Sequence, residues 1–130
     1  MKNDSYFITT PIYYPSGNPH MGHAYSSIIA DVLARFKRLE GKKVFYLTGT
    51  DEHGLKIQRE AEKNNKDPKM FCDELSKKFK NLTQILNLTN DDFIRTTEPR
   101  HFKSVNEIWN RLIKSGDIYL DNYSGWYSVS

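Results

Sequence analysis

The hydrophobic and polar positions of the chain follow two different periods in turn, and these predict alternating strands and helices. Three short runs rich in β-branched and aromatic residues predict strands at 6–10, 44–47 and 92–96. Apolar residues at steps of three and four predict helices at about 25–40, 56–64, 68–86 and 99–115. This order is typical of a parallel sheet covered by helices.

Apolar positions also indicate which helix faces could be buried. In the first helix they are Tyr25, Ile28, Ile29, Val32, Leu33, Phe36 and Leu39. In the third helix they are Phe71, Leu75, Phe79, Leu82 and Leu86, and in the fourth Phe102, Val105, Trp109 and Leu112. We expect Phe71, Leu75, Phe79, Trp109 and Leu112 to belong to the core. Residues 118–130 alternate aromatic and polar residues, which predicts edge strands of another sheet.

Composition narrows the class of protein. The 130 residues are 38% hydrophobic and 27% charged, as in globular rather than disordered chains. The net charge of +3 is too small to argue for a nucleic-acid partner. A mean hydropathy of −0.69 and the lack of a long apolar run argue against a membrane span. A single cysteine, Cys72, and no secretory leader lead us to expect a cytoplasmic protein.

Two polar loops follow the first two predicted strands, at residues 11–23 and 48–54. In parallel α/β sheets, ligands bind beyond the carboxyl ends of the strands. We therefore expect the functional residues in these two loops.

The first loop ends in two histidines, His20 and His23, at the start of a helix. Gly22 between them leaves room for a ligand near the backbone. A helix N-terminus favours phosphate, and imidazole N–H donors there could stabilise charge on a phosphoryl group. The alternatives are a solvated surface pair or a zinc pair. No third metal ligand stands at a useful spacing, so no metal site is predicted.

The wider sequence carries a family resemblance. Residues 15–24, which contain His20-Met21-Gly22-His23, resemble the first signature motif of the class I aminoacyl-tRNA synthetases. The segments 9–14, 47–54 and 92–98 resemble the methionyl members of that class, and the resemblance extends over nearly the whole chain. It implies an α/β fold, namely the first half of a Rossmann-like doubly wound parallel sheet.

The resemblance also implies roles for individual residues. It implies a methionine pocket formed by Ile12, Tyr14 and Asp51, with the Asp51 carboxylate on the substrate ammonium. It implies ATP binding by Tyr14, His20, Gly22 and His23. His20 and His23 would be the catalytic pair.

The implied activity is that of a methionine–tRNA ligase. Such enzymes use ATP and Mg²⁺ to form methionyl-adenylate and then esterify tRNA(Met). Their second, Lys-Met-Ser-Lys-Ser type loop has no match here. We therefore expect 1–116 to be the first half of the catalytic domain and 117–130 the start of a connective insertion. Ser128 and Ser130 stand where some members have zinc cysteines, so we expect a zinc-free variant.

Two other functions stay open from the residues alone. A free-standing nucleotidyltransferase or nucleotide-binding domain can use the same histidine loop. A non-catalytic RNA-binding module derived from a synthetase would bind tRNA without His20 and His23. Neither alternative needs Ile12, Tyr14 and Asp51 together. No membrane partner is expected.

Overall fold

The computed structural model describes residues 4–126 and 128, which form alternating strands and helices. The elements are β1 Ser5–Thr9, α1 Met21–Leu39, β2 Lys43–Thr50, α2 Leu55–Lys63, α3 Pro68–Ile85, β3 Asp92–Arg95 and α4 Pro99–Ser115. The chain divides into two compact units, Met1–Glu98 and Pro99–Ser130.

The first unit contains a parallel sheet in the order β1-β2-β3. Helices connect the strands, as a parallel arrangement requires, so the predicted α/β class is confirmed. Ile8 and Val44 pack with Tyr46 against α1. Because side chains alternate along a strand, Phe7 and Phe45 point to the opposite face, where their rings stack at 5.8 Å and are exposed.

Helix α1 packs on the sheet through small side chains. Its buried residues are Ala24, Ser27, Ala30, Asp31 and Ala34. Ala30 and Ala34 pack against the fully buried Tyr46, whose hydroxyl donates to the Ser27 carbonyl at 3.0 Å. The large apolar residues of the predicted face, from Tyr25 to Leu39, are instead at least 40% exposed. The small residues allow close approach to the sheet, and hydrophobic periodicity does not detect them.

Helices α2 and α3 form a second core cluster. It contains Ile57, Ala61, Phe71, Cys72 and Leu75. Phe79 is also buried, so the core prediction for Phe71, Leu75 and Phe79 is confirmed. Burial raises the pKa of the Cys72 thiol to about 11, which fits a packing residue rather than a reactive one.

The second unit corrects two predictions. Helix α4 has no buried side chain, and Trp109 and Leu112 are 54% and 37% exposed, so the core assignment of these two residues is wrong. Helix α4 is the one regular element in the described part of this unit, which therefore offers no opposing layer against which to bury that face. Residues 118–126 and 128 form no strand, because a strand needs a hydrogen-bonded neighbour, which the described part of this unit does not provide. The rest of that prediction, at 127, 129 and 130, lies outside the described residues.

No helix among the described residues has the length and apolar character needed to cross a membrane.

We predict that Gly49→Ala strongly destabilises the first unit. Strands β2 and β3 approach so closely that a Cβ at Gly49 would lie 1.9 Å from the Ile94 carbonyl oxygen. We expect a loss of about 3 kcal/mol in the free energy of unfolding, measured by urea denaturation. Gly17→Ala is the control, because nothing lies within 4 Å of its Cβ position. Equal stability of the two variants would contradict the close contact.

Candidate active site

The loop after β1 is fixed to the end of β2 by backbone hydrogen bonds. The Tyr13 N–H donates to the Gly49 carbonyl at 3.0 Å, and the Asp51 N–H donates to the Tyr13 carbonyl at 2.9 Å. Tyr13 and Thr50 form a parallel bridge. Below this bridge, the hydroxyls of Thr10 and Thr48 share a buried hydrogen bond of 2.7 Å. The two loops that were expected to carry function therefore lie side by side at the carboxyl edge of the sheet.

Tyr13 divides this edge into a packed side and an open side. Its ring is buried, lies 4.7 Å from the His23 ring and 5.8 Å from the Phe79 ring, and its hydroxyl bonds the Ser27 hydroxyl at 2.9 Å. Because extended backbone alternates its side chains, Ile12 and Tyr14 point the other way. Both line a cavity of about 330 Å³, to which Tyr13, His20 and His23 also contribute.

The two histidines form the N-terminal cap of α1. His20 is the N-cap residue, and its Nδ1 accepts from the Gly22 N–H at 3.1 Å. His23 Nδ1 accepts from the His20 N–H at 3.1 Å, and the ring centroids lie 3.8 Å apart. A side chain at Gly22 would press on the His20 ring, since a Cβ there would lie 3.0 Å from Cε1. Glycine at 22 therefore permits the His20 cap.

These hydrogen bonds assign the tautomer of both rings. A neutral imidazole whose Nδ1 accepts carries its proton on Nε2. Burial lowers the pKa of His23, and electrostatic interaction with the neighbouring His20 lowers it further. In this tautomer the pair presents two Nε2–H donors beside a helix N-terminus, an arrangement suited to an anion.

Asp51 lies next to the cavity but does not line it. Its carboxylate is half-buried, and within residues 4–126 and 128 no ion pair neutralises it. The following side chain, Glu52, turns inward, and His53 Nε2–H donates to the Thr96 carbonyl at 3.2 Å. The second loop thus places one carboxylate in the interior and leaves Asp51 available for a cation.

Sequence reasoning missed two residues of this region. Lys56 lines the cavity from the first turn of α2, and the sequence pattern alone did not single it out. Tyr13 holds the first loop in place, and the alternation of three large residues at 12–14 was the signal that could have revealed it. Asn18, also in the lining, accepts from Lys78 of α3 at 2.8 Å.

The donor set of the cavity suits an anion better than a divalent cation. Imidazoles, hydroxyls, an amide and the Lys56 ammonium line it, without a carboxylate from the described residues. Hard cations such as Mg²⁺ prefer carboxylate and carbonyl oxygens. The residues of this cavity therefore do not fit a resident Mg²⁺. Within the described residues no group of three His, Cys, Asp or Glu side chains could hold a metal.

Residues 6–130 match the sequence family described as class I (M) tRNA synthetases. The chain belongs to this family. The methionine–tRNA ligase of Mesorhizobium japonicum is 56% identical to it over 129 residues, and that of Lactiplantibacillus plantarum is 58% identical over 125. These alignments cover 99% and 96% of this chain but 25% and 18% of the relatives.

A solved structure of the same synthetase family has the same fold. It is the Mycobacterium tuberculosis methionyl-tRNA synthetase in complex with methionyl-adenylate, with a TM-score of 0.91 and 48% identity. The match covers 96% of this chain and 25% of that one. The Rossmann-like half-sheet expected from the class I resemblance is therefore confirmed, and the chain spans about a quarter of its relatives or less.

We predict that capping and ligand donation by His20 can be separated by substitution. His20→Ala should lower the free energy of unfolding by about 1 kcal/mol, because the cap is lost. His20→Asn should stay within a few tenths of a kcal/mol of the unchanged chain, because asparagine is a good N-cap residue. Urea unfolding followed by circular dichroism measures both. If both variants lose the same stability, the capping role is wrong.

We also predict that acid destabilises the chain through His23. Its pKa is lowered from 6.5 in the folded chain, so the unfolded chain binds more protons just below pH 6.5. The free energy of unfolding should therefore fall as the pH drops below about 6.5 and level off above it. In His23→Asn, which can still accept from the His20 N–H, this slope should flatten. An unchanged slope would contradict the assignment.

Proposed function

We propose that this chain forms the first half of the active site of a methionine–tRNA ligase. In that reaction ATP and methionine give methionyl-adenylate and pyrophosphate, and the methionyl group then passes to tRNA(Met). The observation that carries the proposal is the cavity at the carboxyl edge of the sheet, which Ile12, Tyr14, His20 and His23 line together. The family relationship and the methionyl-adenylate bound to the mycobacterial relative support it.

His20 and His23 are the proposed catalytic residues, and both would contact ATP. Their Nε2–H groups would donate to phosphate oxygens as the methionine carboxylate attacks the α-phosphate in line. Charge develops on these oxygens in the transition state, so positioned donors would lower the barrier without a covalent enzyme intermediate. Gly22 would let the nucleotide approach the backbone, as it lets the His20 ring lie over the first turn.

Methionine would bind on the open side of the first loop. Ile12 is 38% exposed and would contact the thioether arm, while Tyr14 would form a wall shared with ATP. Asp51 would bind the ammonium group, because a carboxylate is its natural partner away from water. The Asp51 N–H to Tyr13 carbonyl bond keeps this carboxylate beside the residues that line the cavity.

This assignment also divides the chain into a catalytic part and the start of an insertion. We propose that 1–116 belongs to the catalytic domain and that 117–130 begins a connective insertion without zinc cysteines. The residues of the cavity offer no site for Mg²⁺, so the ion would be carried by the ATP phosphates. Lysines of a second loop, and the tRNA(Met) contacts, would come from other parts of the full enzyme.

We predict that residues 6–130 function when they replace the matching segment of the Lactiplantibacillus plantarum ligase, to which they are 58% identical. The chimeric enzyme should catalyse methionine-dependent ATP–pyrophosphate exchange and charge tRNA(Met). His20→Asn, which keeps the helix cap, should lower the exchange rate by about 100-fold. Asp51→Asn should raise the KM for methionine by at least about tenfold and leave the KM for ATP unchanged.

The isolated 130-residue chain serves as the comparison and should show little exchange. Robust exchange by this chain, abolished by His20→Ala, would contradict its being half of a site. Exchange without a need for methionine would indicate a nucleotidyltransferase. Binding of tRNA that survives loss of both His20 and His23, without any exchange, would indicate an RNA-binding module.

A further inference from the structure

Next to Asp51, the buried carboxylate of Glu52 accepts hydrogen bonds at both of its oxygens. The Glu52 side chain is fully buried, and Oε1 accepts from the Thr50 hydroxyl and from Arg95 Nε, both at 2.7 Å. Its Oε2 accepts from Arg95 Nη2 at 2.9 Å and from the Thr97 hydroxyl at 2.5 Å. Glu52 therefore joins the end of β2 to the end of β3 through four hydrogen bonds.

Arg95 extends this network to α3. Its Nη2 also donates to Asp73 Oδ1 at 2.5 Å. The hydrogen bond from Arg95 lowers the pKa of Asp73, and the one to Glu52 raises the pKa of Arg95. A buried ion pair is often no more stable than apolar residues of similar volume. Stability alone therefore gives a weak reason for this cluster.

The backbone around Glu52 is held as firmly as its side chain. The Glu52 N–H donates to the Thr96 hydroxyl at 2.8 Å, and the His53 ring donates to the Thr96 carbonyl. On the other side, the Asp51 N–H donates to the Tyr13 carbonyl. Asp51 thus lies between two anchors, one on the first loop and one on β3.

We propose that Glu52 is a positioning residue for methionine binding, acting through the neighbouring carboxylate of Asp51. Glu52 fixes the direction in which the loop presents that carboxylate. It also engages Arg95 through two of its nitrogens, which keeps this guanidinium from pairing with Asp51 in place of the substrate ammonium. This proposal rests on the proposed function, in which Asp51 binds the ammonium.

A matched control exists in the same unit. Asp31 is also a buried carboxylate that joins separate segments, since it accepts from the Thr89 N–H and hydroxyl, each at 2.6 Å, and from Arg35. Thr89 precedes β3, so this cluster lies toward the amino end of that strand, whereas Glu52 lies at the carboxyl end. Asp31→Asn and Glu52→Gln are both isosteric changes that remove one buried charge.

The kinetic test uses the chimeric enzyme described above. Glu52→Gln should raise the KM for methionine by about tenfold and change the KM for ATP by less than about twofold. Asp31→Asn should leave both values within about twofold of the parent, although both variants lower the melting temperature. A similar rise in KM in both variants, or no rise in either, would overturn the positioning role.

A milder variant keeps the proposal testable if Glu52→Gln does not fold. Thr97→Val removes one donor to Oε2 and keeps the ion pair. We expect a rise of about threefold in the KM for methionine, with kcat and the KM for ATP unchanged. An unchanged KM for methionine in this variant would count against the proposal.

Amide hydrogen exchange in the 130-residue chain tests the positioning without any activity. In Glu52→Gln, exchange at the Asp51 amide should speed up by about tenfold relative to the amides of β2. In Asp31→Asn this ratio should stay unchanged. An inactive parent chimera would therefore contradict the proposed function alone. An unchanged Asp51 ratio in Glu52→Gln would overturn the positioning role, whatever the activity.

Discussion

The site depends on two backbone hydrogen bonds that extend the sheet beyond its first strand. By donating to Gly49 and accepting from Asp51, the Tyr13 backbone continues the parallel pairing into the loop. This pairing fixes the alternation of residues 12–14, so the Tyr13 ring is buried against His23 and Phe79. The same two bonds hold the Asp51 loop beside the histidine loop. Without them, the two loops would share an edge of the sheet but no fixed geometry.

In the histidine cap, one nitrogen of each ring stabilises the helix end and the other remains available to a ligand. Each ring uses Nδ1 to satisfy a backbone N–H, His20 that of Gly22 and His23 that of His20. Because Nδ1 is occupied, the proton lies on Nε2, and this N–H can donate a hydrogen bond to a phosphate oxygen. The fold thereby selects the tautomer before any ligand arrives. Such preorganisation lowers the cost of reorganising donors in the transition state.

The sequence predicted the order of the elements and the position of the two loops better than the packing around them. The strand and helix order, the two loops and the buried Phe71, Leu75 and Phe79 followed from period and turn chemistry. The contact surface of α1 did not, because alanine and serine give no hydrophobic signal. Strand β2 continues past the apolar run to Thr50, because hydrogen bonds satisfy the buried threonine hydroxyls. Such partners are distant in sequence, so no local pattern reveals them.

At the carboxyl edge of the sheet, donors and positive charge lie at the cavity and a carboxylate lies beside it, which suits a ligand with charges of both signs. The His20 and His23 donors and Lys56 offer positive or donor character at the cavity, while Asp51 offers a carboxylate beside it. Behind that loop Arg95 pairs with Glu52 and Asp73, and Lys69 pairs with Asp73, so the charges of these four groups cancel and contribute little net field to the site. The edge therefore complements a molecule with an ammonium group at one end and a phosphate at the other. An aminoacyl-adenylate has this polarity, because its α-amino group and its phosphate lie on opposite sides of one carbonyl. In the proposed function, electrostatics and packing would make separate contributions, since Ile12 and Tyr14 would contact the side chain while Asp51 and the histidines would orient the reacting groups.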